Sequence, residues 1–367
     1  MGEVGILVNG AAVWKEILRH RPLRAKRLRP GRKDRMGFLL RFGIREPEKY
    51  LRARDCGRIA HRPVSYDLLD VGENPTEEQI QIFEDISLRL RTSNGTYRTT
   101  LPNRFQDLDE IAMRWMEKFY RADTELRVQD RAVSHALTSL EWAKKIFEVF
   151  PRATFGASDT ILEFIRLSLR GGGSYIVEPD GQPLQYLKWR IVVSFQQPES
   201  WRYPLNRWIA ARARKKFARL PLPQDWMESV GNDSYQVSRI STIHPSVAQF
   251  STRDPRFHLR QQSVFECIPD SCHILRTMNI LNVGYFSHVE LVKGIHAAFH
   301  ALKEGGIWIV GRTLKQDLSN HVTLFEKEKM GWRVLDRLGN GSEIEDLALS
   351  VSPKHIKEAQ RQNIVVP

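Results

Sequence analysis

The chain has 367 residues and 41% hydrophobic content, enough for one large domain with an appendage or for two smaller domains. Its three cysteines form no CxxC pair, which argues against a disulfide scaffold and a zinc site and predicts a cytoplasmic protein. No apolar run approaches the length that spans a bilayer, so we expect no transmembrane segment and no secretory signal.

The net charge of +13 is concentrated at the N-terminus, where residues 1–62 hold 17 Lys/Arg against 6 Asp/Glu. We predict a basic, flexible arm over 1–62, because Pro22 and Pro30 break any long helix in the basic run 19–35. The arm would contact phosphates of nucleic acid or anionic lipid, or it would be a solvated tail. Nucleic acid is not favoured, because 19–35 holds no aromatic residue to stack on bases.

Residues 63–123 are predicted to form a helical cover over the part of the chain that follows. A first amphipathic helix opens at Thr76, which is followed by the acidic residues that favour a helix N-terminus. A second amphipathic helix is predicted over 108–120. Such helices often cover the mouth of a binding site, although packing is their commoner purpose.

The stretch 126–159 predicts a strand, a small-residue loop, a helix that opens at Thr138–Ser139, and a second strand that ends at Asp159. In such a unit the loop lies over the helix N-terminus, where free backbone N–H groups attract anionic or polar ligand groups. Asp159 follows the loop by about 20 residues, the separation at which a carboxylate reaches ribose hydroxyls. The pattern predicts a nucleoside-cofactor site, although the loop AVSHAL holds no glycine for a close backbone approach.

Residues 174–232 are predicted to form an insertion that follows a helix over 160–169. Asp180–Gly181 lies between two β-rich runs and predicts a hairpin. Residues 205–219 predict a basic amphipathic helix. This helix would dock on an anionic membrane surface or an acidic partner, or it would lie over the core with snorkelling basic side chains.

The second half of the chain returns to alternating strands and helices. Apolar runs typical of buried parallel strands occupy 238–243, 273–281 and 306–313. A crossover helix is predicted over 287–302. The predicted end of the chain consists of a helix over 322–329, strands over 332–338 and 347–351, and a C-terminal tail over 353–367.

The run RTMNILNVGYFSHVELVKGIHAAFHALKEGGIWIVGRT and the unit at 126–159 together resemble a class I S-adenosylmethionine-dependent methyltransferase. The similarity covers 124–352, and the order Asn279–Leu281 then Tyr285–Phe286 is similar to the chemotaxis-type protein methyltransferases. The resemblance implies an α/β fold with a doubly wound, mostly parallel seven-stranded sheet, a reversed last strand and a helical N-terminal region. It also implies S-adenosylmethionine as the cofactor.

The resemblance assigns the first motif and the acid after the second strand to cofactor binding: Asp130, Ala132, Ser134, Thr138, Ser139 and Asp159. His135 and Ala136 stand where the resemblance leads us to expect an acidic or small residue and a glycine, and Arg131 is bulky for this loop. Four residues at or after the end of a central strand would line the acceptor pocket and are the catalytic candidates: Arg276, Asn279, Asn282 and Tyr285. Ordinary strand-end polarity is the alternative for these four residues, and no metal ligand is implied.

The implied activity is methyl transfer to an unidentified acceptor by direct in-line displacement, in which alignment with the nucleophile contributes most. The alternative is a catalytically silent methyltransferase-like module that binds a partner or an anionic membrane surface through its basic segments. We predict weak, salt-sensitive membrane contact through 19–35 and 205–219, with Trp201, Tyr203 and Trp208 at the interface.

Overall fold

The computed structural model describes residues 40–57, 62–95, 98, 100–196, 203–314 and 316–351. The basic run 19–35, Trp201 and the tail over 353–367 lie outside these residues. The helices are α1 (Pro47–Asp55), α2 (Glu77–Ser87), α3 (Gln106–Phe119), α4 (Leu137–Val149), α5 (Pro204–Phe217), α6 (Pro245–Arg253), α7 (His288–Ala301) and α8 (Glu345–Ser350), with a 3-10 helix at Tyr66–Leu69.

The strands belong to two sheets. In chain order they are β1 (Arg127–Arg131), β2 (Thr154–Asp159), β3 (Glu163–Leu169), β4 (Ser174–Val177), β5 (Pro183–Lys188), β6 (Ile191–Ser194), β7 (Tyr235–Ser241), β8 (Phe257–Gln261), β9 (Cys272–Met278), β10 (Leu302–Thr313), β11 (Asn320–Glu328) and β12 (Gly331–Leu338). No helix in the described ranges is long and apolar enough to cross a membrane.

The larger sheet holds seven strands in the order β12-β11-β10-β9-β1-β2-β8. β1 lies inside the sheet and runs parallel to β2 and to β9, so that Val128 is aligned with Phe155 on one side and Ile274 on the other. The chain first winds from β1 to β2 and β8, and then builds β9 and β10 on the opposite side. This change of direction makes the boundary between β1 and β9 a switch point, where the loops at the strand ends diverge and leave a crevice.

The predicted fold class is confirmed, because the sheet is mostly parallel and ends in antiparallel strands. The predicted strands at 273–281 and 306–313 correspond to β9 and β10, and the predicted crossover helix corresponds to α7. The reversed strand is β11, the second-to-last strand, which is antiparallel to both β10 and β12, whereas the prediction placed the reversed strand last. β8, at the opposite edge, is a short strand that the sequence did not predict.

Two elements near the C-terminus differ from their predictions. Residues 322–329 were predicted to be helical, yet 322–328 belong to β11, whose backbone pairs with strands on both sides. Residues 347–351 were predicted to be a strand, yet α8 covers 347–350 and begins with two acidic residues that favour a helix N-terminus. A short apolar run fits both the helical period of about 3.6 residues and the strand period of about two residues. Whether the run forms a helix or a strand then depends on the strands available to pair with it.

Five antiparallel strands form the second sheet, in the order β6-β5-β4-β3-β7. The predicted hairpin at Asp180–Gly181 connects β4 to β5, and Gly181 has the positive φ of 86° that this turn requires. Residues 160–169 were predicted to be a helix, but they contain β3, which pairs with β4 and β7. The second sheet therefore begins before residue 174, and the run 238–243 contributes to β7 in this sheet instead of a buried parallel strand.

The N-terminal helices divide between the two sheets. α1, α2 and the 3-10 helix share a core with the five-stranded sheet, in which Tyr50 and Phe83 are buried with Phe164. α3 instead packs on the seven-stranded sheet through Leu108 and Met116. The predicted helical cover therefore joins both sheets.

Helix α2 begins where the sequence predicted, with Thr76 as its N-cap. Thr76 Oγ1 accepts a hydrogen bond from Gln79 N, and Gln79 Oε1 accepts one from Thr76 N, which forms a capping box.

Part of the predicted arm over 1–62 is folded. Residues 40–57 include α1 and the buried Ile44, which forms a β-bridge with Val64.

Candidate cofactor and acceptor site

A cavity of about 430 Å³ lies at the switch point, where the loops after β1, β2 and β9 meet the segment before α3. Its lining includes seven of the predicted site residues: Asp130, Ala132, Ser134, Thr138, Asp159, Asn279 and Tyr285. We call the part formed by 130–139 and Asp159, which the sequence analysis predicted to bind the cofactor, the cofactor side. We call the part formed by 279–285, which it predicted to line the acceptor pocket, the acceptor side. The structure thus brings together two groups of residues that are more than 100 positions apart.

The loop of the cofactor side has a strained backbone. Ala132, Ser134 and Ala136 all adopt the left-handed conformation, with φ of 60°, 59° and 64°. For a residue with a Cβ this conformation is roughly 1–2 kcal/mol less stable than the right-handed one, whereas glycine adopts it freely. The alternating left-handed residues turn the chain sharply into α4, which begins without a side-chain cap at Ala136. The leading N–H groups of α4 therefore suit an anionic ligand group.

Asp159 ends β2 and is held by the protein on both carboxylate oxygens. Ser134 N donates to Oδ2 at 2.8 Å, and Ile161 N donates to Oδ1 at 3.1 Å. Arg98 adds an ion pair to Oδ1 at 3.4 Å. Because a carboxylate offers about four lone-pair positions, a ribose diol would use the remaining position and displace one of these contacts.

Arg98 joins the cofactor loop to the segment between α2 and α3. Its Nη2 donates to the Ser134 carbonyl at 2.7 Å, and its Nη1 donates to Thr242 Oγ1 at 3.2 Å. Ser134 Oγ in turn donates to the Arg98 carbonyl at 2.9 Å. Of the three groups bound to Asp159, the Arg98 side chain is the one that a ligand can replace without unfolding a backbone turn.

A buried ion triad supports the cofactor side from behind. Arg276 Nη1 donates to Asp109 Oδ1 at 2.9 Å, and Nη2 donates to Asp130 Oδ2 at 2.6 Å. Ser139 Oγ also donates to Asp130 Oδ2, at 2.6 Å. Arg276 and Ser139 do not line the cavity, so two of the predicted site residues act through Asp130 in this arrangement.

Burial determines the electrostatics of the triad. Desolvation raises the pKa of Asp109 to about 6, although Arg276 and Lys145 oppose the shift. The guanidinium carbon of Arg276 lies 4.2 Å from the Trp142 ring centroid, a cation–π distance. Arg276 therefore connects β9 to β1 and α3 with its charge compensated inside the protein.

The acceptor side begins at Asn279, whose φ is 62°. Its Oδ1 accepts a hydrogen bond from Thr313 N at 2.7 Å, which ties the end of β9 to the end of β10. Asn282 stabilises the following turn, because its Nδ2 donates to the Ile280 carbonyl and its Oδ1 accepts from Gly284 N. Asn279 lines the cavity, whereas Asn282 shapes the loop that carries Tyr285.

Tyr285 lies at the mouth of the cavity, with 44% of its surface exposed. Arg104 lies on the same wall and donates from Nε to Thr313 Oγ1 at 3.1 Å. Neither Arg98 nor Arg104 was identified from the sequence. Both belong to an irregular segment in which single arginines follow no period or motif, so the sequence offered no signal for them.

His135, which stands where the resemblance leads us to expect an acidic or small residue, is buried between α2 and the start of α6. Its ring centroid lies 6.2 Å from that of Phe83 on α2 and 5.7 Å from that of His244, the N-cap of α6. Burial lowers the pKa of His135 to about 3, and His244 adds to this shift. The neutral imidazole thus packs the cofactor loop against α2.

No protein-family model matches the chain, and no curated protein does. Similar solved structures include a candidate S-adenosyl-L-methionine-dependent methyltransferase of Methanococcus maripaludis, with 11% identity over 66% of this chain and 68% of that chain and a TM-score of 0.28. An O-methyltransferase family protein of Burkholderia thailandensis has 13% identity over 71% and 51%, with a TM-score of 0.27. The [4+2]-cyclase SpnF has 12% identity over 56% and 44%, with a TM-score of 0.26. The matched region spans less than two thirds of the latter two chains.

The fold is therefore described from its own strand order. The larger sheet is doubly wound, has a reversed strand near its C-terminal edge, and opens a cavity at the β1/β9 switch point. This is the α/β sheet architecture that the sequence analysis predicted. A doubly wound sheet binds ligands at the carboxyl ends of its parallel strands, but the reaction depends on the residues of the site.

Proposed function

We propose that the chain is an S-adenosylmethionine-dependent methyltransferase. The observation that carries this proposal is the joining of the 130–139 loop, Asp159 and the 279–285 loop around one cavity at the switch point. We also propose the cytoplasm as its compartment, because all three cysteines are free thiols.

The residues of the cofactor side suit the parts of this cofactor. The uncapped N-terminus of α4 suits the carboxylate of the methionine part, and Asp159 suits the ribose hydroxyls. Thr138, which lines the same wall, adds a polar group near the start of α4. One feature competes with this fit, because Arg98 pairs with Asp159 and would have to move or share the carboxylate.

The proposed chemistry depends on alignment more than on proton transfer. The sulfonium of the cofactor already activates the methyl group, so the protein has to position the acceptor in line with it. Among the described residues that line the cavity there is no histidine, lysine, glutamate or cysteine, and both aspartates are engaged by arginines. We propose that Asn279 and Tyr285 orient the acceptor and that Arg276 positions Asp130.

Calorimetry with S-adenosylhomocysteine tests the proposal on the full chain. We expect binding that weakens by roughly 10- to 100-fold in Asp159→Ala, because the lost bonds involve a charged group. Asp254→Ala is the matched control, since Asp254 pairs with Arg256 at the end of α6, outside the cavity. No binding of millimolar ligand to folded protein would contradict the proposal and would favour the silent module.

The silent module remains a second candidate because of α5. This helix packs on the five-stranded sheet through Ala213 and Phe217, but Trp208 is 60% exposed and has the Arg212 guanidinium over its ring. Residues 203–224 hold no acidic residue. Exposed cations beside an exposed indole favour contact with an anionic lipid surface.

Vesicle sedimentation tests this second candidate. We expect the full chain to bind phosphatidylserine-containing vesicles at low salt and to bind less after Arg212, Lys215 and Lys216 are changed to Gln. A matched control changes Lys293, Lys329 and Arg333 to Gln. It removes the same number of positive charges from the part of the chain that forms the seven-stranded sheet and its helices. Equal partitioning to neutral and anionic vesicles, or equal losses in both triple variants, would contradict a docking role for α5.

A further inference from the structure

Apolar side chains line the cavity next to the acceptor side. Met278 and Phe105 are buried there, and Ile280 and Phe286 are half-buried. The Phe286 ring makes an edge-to-face contact with Phe265, another lining residue, at a centroid distance of 5.1 Å. Apolar walls of this kind bind the apolar part of a ligand, while a few polar groups set its orientation.

The apolar surface continues outside the cavity, on the stretch 283–289. Val283 and Val289 have 65% and 64% of their surface exposed, and Tyr285, between them in the sequence, lies at the mouth. We call these three residues the mouth patch. Single exposed apolar residues are ordinary, but several that adjoin a cavity mark a binding surface. The mouth patch therefore extends the apolar walls beyond the volume of the cavity.

Hydrogen bonds hold the mouth patch in position. Asn282 Nδ2 donates to the Ile280 carbonyl at 3.2 Å, and Asn282 Oδ1 accepts from Gly284 N at 3.0 Å. The Asn282 carbonyl accepts from Tyr285 N at 3.1 Å, and a capping box at Ser287 fixes the start of α7. The chain thus keeps apolar side chains in water before any ligand arrives, which reduces the ordering that binding requires.

The sizes of the cavity and of the patch limit what can bind there. The cavity of about 430 Å³ lies at the small end of the range for ligand pockets, and the proposed cofactor would fill much of it. The patch consists of three side chains, whereas a stable protein interface takes about 20–30 residues on each side. The surface therefore fits a small molecule that enters the cavity with one end, and it is too small for a protein partner.

We infer that the acceptor of the proposed enzyme is an amphiphilic small molecule, with a polar end that reaches Asn279 and an apolar body that lies on the mouth patch. This inference rests on the proposed function, because it assigns a substrate class to the acceptor side of the same cavity. The apolar body leaves water when it covers Val283 and Val289. The mouth patch is therefore a specificity-determining surface.

Calorimetry with a homologous series tests the inference on the full chain, with and without saturating S-adenosylhomocysteine. The probes are 4-ethylphenol, 4-propylphenol and 4-butylphenol, which differ by one CH₂ group each. We expect the affinity to rise about two- to fourfold for each added CH₂ group, because each one is removed from water on the patch.

A double variant shows whether the mouth patch causes this rise. Changing Val283 and Val289 to Ser should abolish the dependence of affinity on chain length, and both side chains are exposed, so the fold is expected to tolerate the change. The matched control changes Val230 and Met330 to Ser. These two residues are also exposed and apolar but lie outside the cavity lining, so the control should keep the dependence on chain length.

The outcomes separate this inference from the proposed function. Equal affinity of the natural chain for all three phenols overturns the inference, and this comparison needs no variant to fold. A dependence on chain length that persists in the folded Val283/Val289 variant, or that is lost equally in the control, also overturns it. If S-adenosylhomocysteine binds while chain length has no effect, the amphiphilic acceptor is wrong and the cofactor site stands. If chain length acts through the two valines while S-adenosylhomocysteine does not bind, the mouth patch stands and the proposed methyl transfer fails.

Discussion

The two sides of the cavity differ in the bonds that position them. On the cofactor side, Asp130 pairs with Arg276 and Asp159 pairs with Arg98, so ion pairs hold both carboxylates in place. On the acceptor side, the connections are made by neutral groups, because Thr313 N donates to Asn279 Oδ1 and Thr313 Oγ1 donates to Asn320 Oδ1. The comparison teaches that the cofactor side depends on buried charge pairs, whereas the acceptor side depends on uncharged hydrogen bonds. The following variants test the first half of that difference.

The largest effect is expected at Arg276. Arg276→Met would leave Asp109 and Asp130 buried without their shared cation, which typically costs about 3–5 kcal/mol of unfolding free energy. Chemical denaturation measures this loss. Addition of Asp109→Asn should recover part of it, because one of the two uncompensated carboxylates is then neutral.

Arg333→Met is the control for the triad. Arg333 forms ion pairs with Glu326 and Glu328 on the surface, where such pairs contribute about 0–1 kcal/mol. If Arg276→Met and Arg333→Met reduce the free energy of unfolding by the same amount, the buried triad does not stabilise the cofactor side more than a surface ion pair would.

A smaller effect is expected in the pH dependence of stability. The pKa of His135 is lowered to about 3 in the folded chain, so below its unfolded value near 6.5 the unfolded state binds more protons. Its contribution to stability is complete above pH 6.5 and decreases as the pH falls towards 3. His135→Gln should reduce the slope of unfolding free energy against pH by up to about 1.4 kcal/mol per pH unit in this window.

Asp109 contributes a slope of unfolding free energy against pH whose sign is opposite to that of His135. Its pKa is raised to about 6, so the folded state binds more protons between the unfolded value near 3.9 and pH 6. Its contribution therefore decreases as the pH rises through this window, and Asp109→Asn should make the measured slope more positive. Urea denaturation at pH 4, 5, 6 and 7 gives both slopes, and changes of the same sign in the two variants would contradict the assignment.

The smallest effect is expected in the strained loop. Ala132→Gly should increase the unfolding free energy by about 0.5–1 kcal/mol, because relief of the left-handed strain exceeds the backbone entropy that glycine loses. Ala211→Gly, in an exposed helical position of α5, should decrease it by about 1 kcal/mol. Thermal unfolding measures both, and destabilisation by Ala132→Gly would show that the loop is not strained at that position.

The elements that the sequence predicted correctly share strong local signals. The unit at 126–159 combines a strand, a loop and a helix in the right order, and α7 has both a regular apolar period and a Ser287–Glu290 capping box. The misassigned segments 160–169 and 322–329 have apolar runs that fit either period. Their strand conformation depends on partners elsewhere in the chain, which no local pattern contains.

The candidate site was predictable only where it follows a motif. Asp159 and the 130–139 loop were predicted from their pattern and spacing, and residues of both line the cavity, while their role in cofactor binding stays a prediction. The partners that determine their electrostatics were not found, because Arg98 and Asp109 become neighbours of the site only through the fold. The absence of glycine from the loop predicted backbone strain. Only the structure shows that the strain is divided among three alternating residues.

A crystal structure of the full chain with S-adenosylhomocysteine tests the central claim most directly. We predict the ligand in the switch-point cavity, with its ribose hydroxyls bound to the Asp159 carboxylate, its amino-acid part at the start of α4, and the Arg98 side chain displaced from Asp159 Oδ1. A ligand bound away from the 130–139 loop, or one whose ribose does not contact Asp159 while the Arg98 ion pair persists, would contradict the claim.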